Sequence, residues 1–146
     1  MPSLQKIVWP EPQAGSGILL ITMVKDEQEM LRYWIRHYRA CVENPDFLIV
    51  DDGSLLPVSD WISDEFPDCN ISVIRLPGAA FSDLYKSGLL SSLAGIAVGR
   101  YKIVIPSDVD EIVMSAKPIA PHSLGEVLLA SDPGFQCPRP YRKVSS

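Results

Sequence analysis

Four short apolar runs, three of them followed by a polar or acidic cluster and one by Pro-Gly, constrain this chain more than any other feature of its sequence. They are Ile18-Leu-Leu-Ile-Thr-Met-Val24, Phe47-Leu-Ile-Val50, Ile71-Ser-Val-Ile-Arg-Leu76 and Tyr101-Lys-Ile-Val-Ile105. The first is continuous rather than alternating, which suits a strand covered on both faces, as in a parallel sheet. The segments between the runs change period. Met30, Leu31, Trp34, Ile35, Tyr38, Cys41 and Val42 recur at three- and four-residue intervals, and Asp26 followed by Glu29 forms a capping-box pattern, so a helix is predicted there. A shorter helix is expected over Val58 to Phe66. A longer one is expected over Phe81 to Val98, with Leu89, Leu90, Leu93, Ala94, Ile96 and Ala97 on its stripe and Gly99 as its C′ residue. Strand and helix therefore alternate, which predicts crossover connections and an α/β fold: a Rossmann-like, mostly parallel sheet flanked by helices.

With 146 residues and 47% apolar content, the chain has room for one domain and material for a real core. Residues 1–16 hold Pro2, Pro10, Pro12 and Gly15 and read as a lead-in segment; residues 17–131 read as the domain, with a last helix over Ser123 to Ala130. Residues 132–146 read as a Pro-rich basic tail. The apolar stretch Gly17 to Val24 is too short to span a membrane and meets Lys25-Asp26-Glu27 at once, without a small-residue cleavage signature. A cytoplasmic chain, or one peripheral to a membrane, is expected.

The 13 Lys and Arg against 18 Asp and Glu give a net charge of −5, which removes the electrostatic drive that nucleic-acid binders need. Cys41, Cys69 and Cys137 make an odd count without C-x-x-C spacing, so neither a disulfide framework nor a thiolate zinc site is indicated, and a reducing compartment is expected.

In open parallel sheets ligands sit outside the carboxyl ends of the strands. Three acidic clusters fall at such ends: Lys25-Asp26-Glu27 after the first strand, Asp51-Asp52 after the second, and Asp108-Val-Asp110-Glu111 after the fourth. Two like charges at about 4 Å cost roughly 1 kcal/mol in water and about 4 kcal/mol at an effective dielectric near 20, so a cation is expected among them. A hard divalent ion held by one or two carboxylates and a substrate phosphate suits the chemistry. In an extended backbone Asp108 and Asp110 would share one side while Val109 turned to the core.

Together, Val24-Lys-Asp-Glu27 opening a helix that carries Trp34, the strand end Ile49-Val-Asp-Asp-Gly-Ser54, and Tyr101-Lys-Ile-Val-Ile-Pro-Ser-Asp-Val-Asp-Glu-Ile112 resemble family 2-like glycosyltransferases of the GT-A fold, over about residues 17–115. The resemblance implies a metal-dependent glycosyltransferase that binds a nucleotide-sugar donor. Asp108 and Asp110 would hold Mg²⁺ or Mn²⁺ against the donor diphosphate, and Asp51 or Asp52 would contact base or ribose. Lys86 would approach the nucleotide, and Lys25 and Glu27 would touch phosphate or base.

In that family an acceptor half follows, with a carboxylate base and often a later Arg-Trp pair. Here the last Trp is Trp61, and beyond Glu126 only Asp132 carries a carboxylate, within the turn Ser131-Asp-Pro-Gly134. No base is assigned. A chain truncated on the acceptor side is expected, acting on an unknown glycan, lipid or protein acceptor or needing a partner chain for that half. The alternative is a nucleotide-binding fragment or degenerate paralogue without catalysis. A receiver or aspartyl phosphatase would want its acidic pair after the first strand, whereas here it follows the second.

Each acid also has a plain reading. A charged first helical turn is explained by capping and dipole effects, and Asp-Gly-Ser is ordinary turn chemistry. His37 and Cys41 read as packed helix residues. His122 is a poorer Mg²⁺ ligand than oxygen, and Arg139, Arg142 and Lys143 read as a solvated tail.

Overall fold

The computed structural model describes residues 17–78 and 83–112. The elements are β1 (Ile18–Val24), α1 (Gln28–Cys41), β2 (Asp46–Asp52), a 3-10 turn (Val58–Asp60), α2 (Ile62–Glu65), β3 (Asn70–Leu76), α3 (Asp83–Ala97) and β4 (Ile103–Pro106). All strand pairs are parallel, in the order β3-β2-β1-β4. This is the α/β, Rossmann-like architecture the alternating pattern predicts. The direction of winding reverses between β1 and β4, and such a reversal opens a crevice at the carboxyl ends of the strands.

Every residue of β1 and β2 is buried, as their continuous apolar runs require of central strands. One core layer packs Ile18, Leu20, Phe47 and Ile49 against Leu31, Trp34, Ile35 and Tyr38 of α1. The other packs Leu19, Ile21, Met23, Leu48 and Val50 against Leu89, Leu90, Leu93 and Ala97 of α3. Each such side chain contributes roughly 1.5 to 3 kcal/mol on burial, so the sheet without either helix would lose most of its stability. Trp34 is fully buried and meets the Tyr38 ring edge-on at 5.4 Å and the Phe47 ring at 5.6 Å. The short α2 is tied to α1 by Arg32, which pairs with Glu65 at 2.8 Å and lies 4.6 Å over the Trp61 ring.

Four local expectations differ from the structure. Met30 and Ile96 sit at the edges of their helical stripes and are exposed. Asp26 does not cap α1: Glu27 holds the N-cap position without a side-chain cap, and Asp26 takes φ +55°. Gly99 does hold the C′ position after α3 but without the left-handed φ that favours glycine there, and the helix ends by tightening, with Gly99 N donating to Ile96 O and Arg100 N to Ala97 O. The backbone after β4 is not extended. Glu111 N donates to Asp108 O at 3.0 Å, closing a turn in which Val109 is buried, Asp108 half-buried and Asp110 exposed. The expected lead-in, last helix and basic tail, with Cys137 and His122, lie outside the described residues.

Candidate functional site

The loops that leave β1, β2 and β4 meet at the carboxyl rim of the sheet, where the crossovers also place the starts of α1 and α3. The first two loops are clamped to each other. Asp26 N donates to Ser54 Oγ at 2.9 Å, and Leu55 N donates to Asp26 Oδ1 at 2.7 Å. The left-handed backbone of Asp26, a conformation Asp tolerates better than most residues, turns its carboxylate across to the neighbouring loop.

Asp51 and Asp52 point to opposite faces, as adjacent strand residues must. Asp51 pairs in register with Val24 and Arg75 on the α1 side. Its Oδ1 accepts from Ser54 N at 3.0 Å, and its Oδ2 accepts from Val58 N at 2.9 Å and Arg75 Nη1 at 2.8 Å. Arg75 Nη2 also donates to Ser54 O at 3.0 Å. Burial pushes the Asp51 carboxyl up, but the hydrogen bonds from Ser54 and Val58 and the Arg75 charge outweigh it and hold the group below its ordinary value. Asp51 is therefore the brace of the loop, and its oxygens are already engaged.

Asp52 pairs in register with Leu76 on the α3 side and is 2% exposed. Its Oδ2 has no hydrogen-bond partner among the described residues. A buried carboxylate oxygen without a donor is costly, and such groups call for a ligand, an ion or water. The loop beyond it packs backbone against backbone on Gly78. Gly53 and Gly78 both have positive φ, and a Cβ on Gly53 would lie 2.7 Å from Gly78 Cα.

The end of β4 is pinned by Ser107. Its N–H donates to Ile21 O at 3.0 Å, its carbonyl accepts from Thr22 Oγ1 at 2.8 Å, and its hydroxyl accepts from Trp34 Nε1 at 3.3 Å. Asp108 follows directly and turns toward α3, where Lys86 Nζ lies 2.8 Å from its Oδ1. The Lys86 side chain is 17% exposed and that of Asp108 is 42% exposed. Asp110 is exposed and Glu111 is buried.

The structure thus brings Lys86 and Asp108 into contact and sets Asp52 on the same side of the sheet, and it assigns Asp51 to the opposite side. Lys25 is exposed at the end of β1. Glu27 lines a cleft of about 470 Å³ on the α1 side, with Val24, Leu31, Ser54, Leu55 and Val58. A second hollow, of about 490 Å³, lies at the other end of the strands beside Asn44, Pro45 and Asn70. Among the described residues no three His, Cys, Asp or Glu side chains gather into a cage that could hold a metal ion. Burial pushes the Cys41 and Cys69 thiols up, which disfavours a thiolate nucleophile, and His37 packs edge-on against Tyr38 at 4.8 Å. No described helix is long and apolar enough to cross a membrane.

Arg75, Ser54, Thr22 and Ser107 were not singled out from the sequence. An Arg on a strand is ambiguous until register is known, and only the pairing of Asp51 with Arg75 reveals its task. Comparison with known proteins finds no matching family model, curated protein or solved structure.

Proposed function

We propose that the α3 side of the rim binds the diphosphate of a nucleotide-sugar together with a divalent cation, and that the protein is a metal-dependent glycosyltransferase of the family 2-like, GT-A kind. The observation that carries this reading is the meeting of Lys86 with Asp108 beside the β1/β4 reversal, on the same side as the Asp52 oxygen that has no partner among the described residues. The available donors are hard carboxylate oxygens, and one of them already attracts a cation at 2.8 Å. They fit Mg²⁺ or Mn²⁺ held by one or two carboxylates plus phosphate, which needs no cage built of protein alone. When bound, the ion supplies Lewis-acid charge for the departing diphosphate.

The chain's own residues divide the remaining work. Asp108 and Asp110 hold the ion at the turn after β4. Lys86 gives its charge to the diphosphate. Asp52 accepts a hydrogen bond from a nucleoside N–H or O–H, which satisfies its Oδ2. Asp51, Arg75 and Ser54 keep the β2 loop in the shape that presents Asp52, and Thr22, Trp34 and Ser107 do the same for Asp108. The acceptor is a glycan, lipid or protein hydroxyl or amine, and no described residue is given the part of base.

The test is chemical denaturation with Mn²⁺ and UDP. At 100 times the dissociation constant the pair should add about 2.7 kcal/mol of stability, and Asp108→Asn should abolish the gain. No gain in the wild type overturns the reading. Stabilisation without donor hydrolysis or sugar transfer would leave a donor-binding domain that does not catalyse.

A further inference from the structure

Building on the reading above, we propose that Lys86 competes with the divalent cation for Asp108, so that the cation binds weakly by itself and firmly only with the diphosphate. The ammonium already occupies one oxygen of that carboxylate, at 2.8 Å. It approaches from the packed side, since the Lys86 side chain is much less exposed than that of Asp108. A dication on the same carboxylate would stand within a few ångströms of this ammonium, and the two like charges repel. Lys86 must then give up Asp108, and its flexible four-carbon stem allows it to move.

The diphosphate offers the displaced ammonium new anionic oxygens and takes up part of the dication's charge. Lys86 lies in the first turn of α3, which begins at this rim, so an anion drawn there meets both the ammonium and the positive end of the helix. Competition for one carboxylate thereby becomes positive coupling between cation and diphosphate, and the coupling must be reciprocal.

The experiment is titration of the full chain with Mn²⁺, followed by the spin-resonance signal of the free ion, first without nucleotide and then with UDP. Lys86→Met keeps most of the stem and removes the charge. It should bind Mn²⁺ alone about tenfold more tightly than the wild type, with a smaller further gain from UDP. Lys86→Arg should restore weak binding. Lys102→Met removes an exposed charge just before β4, at the end of the sheet away from the rim, and should change the affinity less than about twofold. An unchanged or weakened Mn²⁺ affinity in Lys86→Met overturns the competition, as does equal tightening in Lys102→Met. Asp108→Asn separates the two levels. If it removes UDP-supported Mn²⁺ binding while Lys86→Met is silent, the site reading stands and the competition alone falls. If it leaves that binding intact, or the wild type binds no Mn²⁺ with UDP, both fall.

Discussion

On the α1 side of the rim, Asp51 accepts hydrogen bonds from Ser54, Val58 and Arg75, and Asp26 accepts one from Leu55. On the α3 side, one oxygen of Asp52 has no donor among the described residues and Asp108 meets Lys86 at 2.8 Å. The residues are of one type and two of them are adjacent in sequence, yet one side spends its carboxylates on the fold and the other holds them in reserve. A carboxylate whose oxygens are filled by protein donors is architecture. One that lacks them, or shares them with a long flexible side chain, is available to a ligand.

That contrast can be broken by single substitutions. Asp51→Ala should cost the most, about 3 kcal/mol in a urea titration, because it strands two buried N–H groups and the Arg75 charge. The partial exposure of Arg75 keeps the cost at the low end of what a broken buried pair produces. Gly53→Ala should cost about 2 kcal/mol, since it meets both a left-handed φ and the Gly78 backbone. Asp52→Asn should move stability by less than about 1 kcal/mol while weakening UDP about tenfold in a calorimetric titration, because the lost bond is to the ligand and not to the fold. If Asp51→Ala and Asp52→Asn prove equally costly to folding, the division between the two sides is wrong.

The smallest effect sharpens the same point through pH. The Asp51 carboxyl lies below its ordinary value of 3.8 when folded. The unfolded chain therefore takes up the proton first, and the stability owed to Asp51 is complete above that value and drains as pH falls through the folded one. The stability difference between wild type and Asp51→Asn should accordingly shrink as acid is added, and that for Arg75→Met, whose charge acts on the same carboxylate, should shrink with it. A difference independent of acid would mean that the carboxylate charge is not what braces the loop.

Much of this fold was legible because its signals are local. The continuous run Ile18 to Val24 announced a central strand, and Leu31, Trp34, Ile35 and Tyr38 announced the buried face of α1. The structure corrected the readings that depend on partners far along the chain. Asp26 resembled a helix cap because Glu29 follows it, but its acceptor work is for Leu55, in a loop that no local pattern ties to it. Asp51 and Asp52 were indistinguishable until register put one opposite Arg75 and the other opposite Leu76. The extended backbone expected over Asp108 to Asp110 gives way to a turn closed by Glu111 N on Asp108 O, which a local strand pattern does not signal. The contact of Lys86 with Asp108 was foreshadowed only by the resemblance of the surrounding motifs, since a helix and a strand end that lie 22 positions apart share no periodic signal.

The most direct measurement is an amide chemical-shift map of the labelled chain titrated with UDP and Mg²⁺. The account predicts that the largest changes fall at Asp52 to Ser54, around Lys86, and from Asp108 to Glu111, with Asn44 and Asn70 at the far end of the strands unmoved. Changes concentrated at that far end, or confined to the α1-side cleft around Glu27 and Leu31, would contradict it.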